Sequence, residues 1–102
     1  MKWLEIIELR SVGVDNKTVE VQVDTLLRQC AKSIEADGIR SYRRVTLNYD
    51  FSIHLFHETE HIERYGSELG LHLVSALREF GMINHSVWEE TGKTEHVVEE
   101  NR

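Results

Sequence analysis

Proline is absent from the 102-residue sequence, and cysteine occurs once, as Cys30. A single cysteine cannot form a disulfide within the chain, which is typical of a reducing compartment, so we expect a cytoplasmic protein. No apolar run approaches the roughly 18 residues that a membrane-spanning helix needs. Glu5 stands where a signal peptide would be apolar, so we also expect no secretory signal.

Basic residues are scarce as well, since 12 Lys and Arg stand against 18 Asp and Glu and leave a net charge of −6. Nucleic-acid binding draws its affinity from clustered basic side chains, and only Arg40, Arg43 and Arg44 cluster. The sequence also lacks a glycine-rich phosphate loop, a nucleophile elbow and a Cys-x-x-Cys pair. We therefore expect no nucleic-acid, nucleotide or membrane partner and no serine-type hydrolysis.

The residues that are present have the composition of one globular domain, with 40% apolar and 29% charged side chains. Apolar periodicity predicts six elements within residues 1–90 and leaves 91–102 as a charged C-terminal tail. These are strand 3–11, a helix over about 17–36, strands 39–47 and 51–57, a helix over about 67–80 and strand 82–89. Val19, Val21 and Val23 also alternate as in a strand, so a short strand over 17–23 followed by a shorter helix is the alternative.

The two central strands predict a hairpin with a short turn at Asn48-Tyr49-Asp50. Pairing Leu47 with Phe51 places the apolar side chains of both strands on one face. The same register places three pairs on the other face: Thr46 with Ser52, Arg44 with His54, and Tyr42 with Phe56.

The order strand, helix, strand, strand, helix, strand is the split βαβ pattern of ferredoxin-like domains. Right-handed crossovers place both helices on one face of a four-stranded antiparallel sheet, which predicts an α+β fold with one uncovered sheet face. Large apolar side chains on that face predict a partner surface, and we expect the partner to be a second copy of the chain. Two such sheets would enclose a space of the mixed polar and aromatic kind that binds small molecules.

Three segments within this order carry a family resemblance: Asp37-Gly38-Ile39, His54-Leu55-Phe56-His57-Glu58 and Phe80-Gly81-Met82-Ile83. Together with the six-element order over residues 3–90, they resemble the dimeric α+β barrel superfamily, especially its antibiotic-biosynthesis-monooxygenase-like members. The resemblance implies a ferredoxin-like homodimer. Members of that superfamily include cofactor-independent oxygenases of phenols or quinols, haem-handling enzymes, isomerases and proteins without a known activity. No active-site signature of the superfamily matches this chain residue by residue.

The uncovered face carries the side chains from which we predict a site for a small aromatic ligand, with no cofactor and no metal. The ligand would lie in the space between the two sheets or, as the alternative, between the sheet and the helices. Oxygenation of a phenol or quinol without a cofactor needs a group that takes a proton and donors that steady the resulting anion. His54 would take the proton, Arg44 opposite it would steady the oxyanion, and Asn84 would donate a hydrogen bond. Flat surfaces for an aromatic ring would come from Tyr42, Phe56 and Trp88. The alternative is a non-catalytic binding or assembly module, in which the polar groups pair with each other and the rings pack in an interface.

The string His57-Glu58-Thr59-Glu60-His61 fits the H-E-x-x-H pattern of zinc peptidases, which requires a helix with both His side chains on one face. Here His57 ends a predicted strand, and Arg64 and Ser67 stand where the extended pattern needs Gly and a third His. We therefore predict no zinc peptidase. A looser metal site is the alternative, formed by His57 and His61 with Glu58 or Glu60.

The remaining candidate side chains are predicted to be structural. His85 shares a strand face with Ile83 and Val87, so we expect a hydrogen-bonded core histidine. Cys30 lies on the apolar stripe of the first helix and is predicted to be inert packing. His72 and His96 are expected to be exposed.

Overall fold

A computed structural model of the chain describes residues 1–11, 16–30, 38–46 and 49–92. Its elements are β1 (Lys2–Ser11), α1 (Asn16–Cys30), β2 (Gly38–Arg43), β3 (Asp50–Glu58), α2 (Glu68–Leu77), a short 3₁₀ helix (Arg78–Phe80) and β4 (Gly81–Glu89). This is the predicted order of strands and helices. Neither helix in the described ranges has the length and apolar character needed to cross a membrane.

The four strands form one antiparallel sheet in the order β2-β3-β1-β4. β1 lies in the interior of the sheet, and its side chains alternate between a buried face and a more exposed face. Both helices pack on the buried face, where the core joins residues of the sheet to residues of the helices: Ile7, Leu9, Ile53 and Leu55 with Val19, Val23, Leu69, Leu73 and Leu77. The predicted ferredoxin-like α+β fold is therefore confirmed.

Each helix forms where the sequence repeats apolar residues at helical spacing. In α1 the stripe runs through Val19, Val23 and Cys30, all buried, so a single helix from Asn16 replaces the alternative of a strand over 17–23. The predicted continuation of this helix to residue 36 lies outside the described residues. α2 begins at a capping residue, Ser67, whose Oγ accepts a hydrogen bond from the Gly70 N–H at 3.0 Å. Its buried stripe of Leu69, Leu73, Val74 and Leu77 follows the prediction.

The register predicted for the hairpin is wrong by four residues. Arg43 lies opposite Phe51, Tyr42 opposite Ser52, and Arg40 opposite His54. β2 therefore ends at Arg43 rather than at residue 47. Leu47 and Asn48, which the predicted pairing and turn include, lie outside the described residues. A four-residue shift keeps the side chains within β2 and β3 on their predicted faces, because faces alternate with a period of two.

An ion-pair group at the hairpin end accompanies the observed register. The Asp50 carboxylate lies 3.1 Å from Arg10 Nε and 3.0 Å from Arg44 Nε, and the Arg44 N–H donates to the Asp50 carbonyl. Val45, which the predicted register would have paired with Ile53, is instead 98% exposed. The apolar pattern selected the correct face but not the correct partner along the strand.

Gly81 provides a test of the close approach between β4 and β1. A Cβ at Gly81 would collide with the carbonyl oxygen of Arg10, whereas a Cβ at Gly92 would meet nothing within 4 Å. We expect Gly81→Ala to lower the free energy of unfolding by about 1–3 kcal/mol, because the backbone of β1 must move. Gly92→Ala is the matched control and should stay within about 0.5 kcal/mol of the wild type. Urea unfolding measures both, and equal stabilities would contradict the packing described.

Candidate functional site

The six side chains predicted to form a site share one side of the sheet, which we call the open face. It is the side of the sheet away from the helices, and strand alternation places on it Leu4, Ile6, Glu8, Arg10, Arg40, Tyr42, Ser52, His54, Phe56, Met82, Asn84, Ser86 and Trp88. Arg44 follows β2 directly and reaches the same face through its ion pair with Asp50. Several of the apolar members are substantially exposed, with Trp88 at 57%.

The middle of the open face holds a row of three rings, Tyr42, His54 and Phe56. The ring centroids of Tyr42 and His54 are 4.7 Å apart, and those of His54 and Phe56 are 6.2 Å apart. Arg40 lies opposite His54 in the register, and its guanidinium carbon is 5.8 Å from the Phe56 centroid. His54 Nε2 lies 3.0 Å from Ser52 Oγ. Arg40 therefore occupies the place beside His54 that the sequence assigned to Arg44.

The other predicted polar groups are engaged away from His54. Arg44 pairs with Asp50, and Asn84 Nδ2 donates to Glu8 Oε1 at 3.0 Å. Trp88 Nε1 donates to Ser86 Oγ at 2.8 Å. In the single chain, none of these three side chains forms a hydrogen bond with the His54 imidazole.

Two open depressions divide the predicted site residues. One, of about 490 Å³, is lined by Tyr42, Arg44 and Asn84 together with Asp50 and Met82. The other, of about 450 Å³ near the start of β1, is lined by Phe56 and Trp88 together with Leu4 and Glu90. His54 lies between them along β3.

The helix-facing side of the sheet holds a polar group that the sequence reasoning missed. The Glu5 carboxylate is fully buried, and it accepts four hydrogen bonds. Its Oε1 lies 2.9 Å from His85 Nε2 and 3.1 Å from the Ser67 backbone nitrogen, and its Oε2 lies 2.6 Å from His57 Nε2 and 2.5 Å from Ser67 Oγ. We call these four residues, Glu5, His57, Ser67 and His85, the Glu5 cluster.

Strand order explains why the Glu5 cluster forms. β1 lies between β3 and β4, with Trp3 opposite His57 and Ile7 opposite His85. Glu5 stands between Trp3 and Ile7 on the same face, so the two histidines flank it diagonally from either side. Glu5 alternates along the strand with the same period as Trp3, Ile7 and Leu9, which are buried. This spacing was the feature of the sequence that could have predicted a carboxylate at a core position.

Hydrogen bonding determines the charge state of Glu5. Burial by itself raises the pKa of a carboxyl group, because it disfavours the anion. The hydrogen bonds from Ser67, His85 and His57 outweigh that effect, and the pKa of Glu5 is lowered below its ordinary value. Glu5 is therefore a carboxylate at neutral pH, held in the core by donors alone.

Neighbouring residues shape the space around the Glu5 cluster. A Cβ at Gly70, in the first turn of α2, would collide with Glu5 Oε1. Gly66 has a positive φ of 112°, and a Cβ there would collide with the imidazole of His85. The His57 ring stacks on Trp3, with centroids 4.0 Å apart and planes 20° apart.

His57 lies in β3, as predicted, so the H-E-x-x-H string does not form the helical zinc-peptidase site. The looser metal site is not supported, because the His57 side chain is 1% exposed and bound to Glu5 whereas the His61 side chain is 89% exposed. The described residues contain no group of three or more His, Cys, Asp or Glu placed to hold a metal ion. His85 is the expected hydrogen-bonded histidine, Cys30 is buried, and His72 is exposed; His96 lies outside the described residues.

No protein-family model matches the chain, and the search of curated proteins finds no match. Solved structures do match. A variant of SnoaB, a cofactor-independent oxygenase from Streptomyces nogalater, superimposes with a TM-score of 0.68 at 11% identity, covering 90% of this chain and 95% of that one. This chain has the same fold.

Two further solved structures share this fold. Rv0793 from Mycobacterium tuberculosis matches with a TM-score of 0.66 at 10% identity, over 92% of this chain and 99% of that one. A candidate antibiotic biosynthesis monooxygenase from Bordetella bronchiseptica matches with a TM-score of 0.55 at 15% identity, over 90% and 98% of the two chains. The resemblance stated from the sequence is confirmed for the fold, which these proteins share almost end to end.

Gly70→Ala tests the packing of α2 against Glu5. In an unconstrained helix, alanine is more stable than glycine by about 1 kcal/mol. Here we expect the opposite sign, a loss of about 1–3 kcal/mol, because the new methyl group displaces the buried carboxylate. The matched control is Ser75→Ala at an exposed position of the same helix, which should be neutral or slightly stabilising. Thermal and urea unfolding give the comparison, and a stabilised Gly70→Ala protein would contradict it.

Glu5→Gln tests the buried charge through its pH dependence. The pKa of Glu5 is lower in the folded chain than in the unfolded chain, so its ionisation stabilises the fold above the unfolded value of about 4.3. That contribution is lost as the pH falls through the folded pKa. We expect Glu5→Gln to lose about 1–3 kcal/mol at pH 7 and the gap to the wild type to narrow on acidification below about pH 4.

Urea unfolding of both proteins from neutral to acidic pH measures this gap. Glu58→Gln, at an exposed position of β3, is the control and should change stability by less than about 0.5 kcal/mol. A gap between wild type and Glu5→Gln that is constant with pH would show that the carboxylate is not the stabilising species.

Proposed function

We propose that the protein is a homodimer that binds a small aromatic molecule against the open face and acts on it as a cofactor-independent, monooxygenase-like enzyme. The observation that carries this proposal is the row of Tyr42, His54 and Phe56 beside Arg40 on an otherwise uncovered sheet face. The fold shared with a cofactor-independent oxygenase supports the same reaction class. A cytoplasmic location stays a prediction.

The substrate class follows from the side chains in the row. Aromatic rings at 4.7–6.2 Å spacing offer flat surfaces for another ring, and a guanidinium close by favours an anionic oxygen. A phenol or quinol combines the two features. Its hydroxyl proton would pass to His54, and the resulting electron-rich ring would itself supply the electrons for reaction with oxygen, so that no metal or flavin is required.

The homodimer is proposed from the apolar side chains of the open face. Tyr42, Phe56, Met82 and Trp88 are all exposed there in the single chain. Contiguous exposed apolar surface marks an interface, and a second sheet would convert the two depressions into one enclosed space. Exclusion of water from that space would strengthen the interactions of Arg40 and His54 with a bound anion.

In this proposal, no direct contact with the ligand hydroxyl is assigned to Arg44, Asn84 or Trp88. Asp50 and Glu8 hold the first two in the single chain, and their release would require a ligand that competes for them. Those same pairs favour the second candidate function, a non-catalytic binding or assembly module, because the polar groups of the face are already satisfied by each other.

Substitution of His54 separates the two functions. With 2-naphthol as the probe, we expect the wild type to bind and His54→Gln to bind about fivefold more weakly or worse, since one hydrogen bond to the hydroxyl is lost. His72→Gln, at an exposed position of α2, is the matched control and should bind as the wild type does. Fluorescence titration gives the affinities, and analytical ultracentrifugation gives the oligomeric state of each protein.

Turnover is measured as oxygen uptake with 1,4-dihydroxynaphthalene, corrected for its autoxidation. Loss of binding and uptake in a dimeric His54→Gln protein supports the enzyme. A wild-type dimer without binding or uptake, which Trp88→Ala converts to monomer, would establish the assembly module instead.

A further inference from the structure

The two depressions of the open face differ in the charge of their walls. Among the described residues, the depression of about 490 Å³ at the end of the hairpin is lined by more cations than anions: Arg10, Arg43 and Arg44 with Glu8 and Asp50. The depression near the start of β1 has the opposite balance, with three carboxylates and one lysine: Glu58, Glu89, Glu90 and Lys2. An anionic group on a ligand is therefore favoured at the hairpin end and disfavoured at the other end.

Two of the charged groups at the hairpin end are engaged with neighbours. Arg43 Nη1 lies 2.9 Å from the carboxylate of Glu20 in α1. Glu8 Oε1 accepts a hydrogen bond from Asn84 Nδ2 at 3.0 Å. The basic part of this depression is therefore formed by the two remaining arginines.

These two arginines share a single carboxylate, that of Asp50. It lies 3.1 Å from Arg10 Nε, 3.3 Å from Arg10 Nη2 and 3.0 Å from Arg44 Nε. Two cations on one anion leave one positive charge unmatched. The side chains of Arg10 and Arg44 are 59% and 53% exposed, whereas that of Asp50 is 14% exposed, so a ligand in the depression meets the guanidinium groups rather than the carboxylate.

Both guanidinium groups have donors left for a ligand. A guanidinium carries N–H donors on every one of its nitrogens, and Asp50 takes only those on Nε and Nη2 of Arg10 and on Nε of Arg44. Within the described part of the chain, Asp50 is the only acceptor that these two side chains contact. A second carboxylate can therefore bind beside Asp50 without displacing it.

The hairpin-end depression continues the aromatic row. Tyr42 lines it, and the Tyr42 ring is 4.7 Å from the ring of His54. Ser52 lines it as well, with its Oγ 3.0 Å from His54 Nε2. Asp50 lies four residues before His54, about 14 Å away along an extended strand. A ligand ring against Tyr42 with its hydroxyl at His54 would direct its opposite end toward Arg10 and Arg44.

We propose that the ligand of the open face is a hydroxylated aromatic acid, whose carboxylate is bound by Arg10 and Arg44 at the end of the ring system away from the hydroxyl. Guanidinium groups match the planar geometry of a carboxylate, and a singly charged anion matches the one positive charge that Asp50 leaves. Asp50 is then a positioning residue, which holds both arginines at the wall of the depression. This inference rests on the proposed function, since it specifies the ligand of the same face.

The test compares 6-hydroxy-2-naphthoate with its methyl ester, which has the same ring and hydroxyl but no charge. At neutral pH we expect the wild type to bind the acid about tenfold more tightly than the ester, because charge-assisted hydrogen bonds to the arginines are gained. Arg10→Gln and Arg44→Gln should each bring this ratio of affinities close to one, because Asp50 neutralises the arginine that remains. Fluorescence titration measures both affinities, and circular dichroism confirms that each variant is folded.

Arg28→Gln is the matched control. It removes the same charge from an exposed ion pair with Asp24 in α1, and it should keep the preference for the acid. His54→Gln should weaken the binding of acid and ester alike, and it should therefore keep the ratio as well.

A second measurement uses the wild type alone. Raising the NaCl concentration from about 0.05 M to about 0.5 M should lower the acid-to-ester ratio severalfold, because salt screens charges that are half exposed, while binding of the ester stays the same. A preference for the acid that does not respond to salt would contradict the inference even if the arginine variants do not fold.

The outcomes separate this inference from the proposed function. If the wild type binds the ester but does not prefer the acid, or if the preference persists in both arginine variants, the carboxylate site is overturned and the proposed function stands. If the wild type binds neither compound nor 2-naphthol, both are overturned. A preference that requires Arg10 and Arg44, with both affinities unchanged in His54→Gln, supports the carboxylate site and contradicts the role proposed for His54.

Discussion

The buried Glu5 carboxylate is the constraint on which the packing of the sheet and the position of the second helix both depend. An anion in the core is tolerated only when donors surround it, and Glu5 draws those donors from β3, β4 and the N-cap of α2. Ser67 contributes twice, because its Oγ and its backbone N–H both point to the carboxylate while Oγ also caps the helix. The position of α2 on the sheet is thereby tied to one side chain of β1.

The order of elements and the faces of the strands could be predicted from periodicity, because both depend on local patterns. The register of the hairpin could not be predicted from local patterns. Phe51 faces the core in the predicted register and in the observed one, yet its partner is Arg43 rather than Leu47. Two registers that differ by four residues bury the same apolar face, so the choice falls to contacts beyond the hairpin, such as the ion pair of Arg43 in β2 with Glu20 of α1.

The Glu5 cluster could not be assembled from the sequence for a related reason. Glu5 and His57 occur in phase with buried apolar residues of their own strands, and His85 occurs in phase with partly buried ones. That phase predicts a core-facing position for each of them separately. Their meeting depends on the strand order β3-β1-β4 and on the offset between strands, neither of which is local. The aromatic row depends on the same information, and the sequence accordingly placed Arg44 rather than Arg40 beside His54.

The two sides of the sheet differ in how far their polar groups are removed from water. On the helix side, Glu5 is already dry in the single chain, so its interaction with His85 has the strength that a low-dielectric setting gives. On the open face, His54 is only partly buried and Arg40 is exposed in the single chain. The proposed chemistry at His54 would therefore be coupled to assembly of the proposed dimer and would weaken on dilution with it.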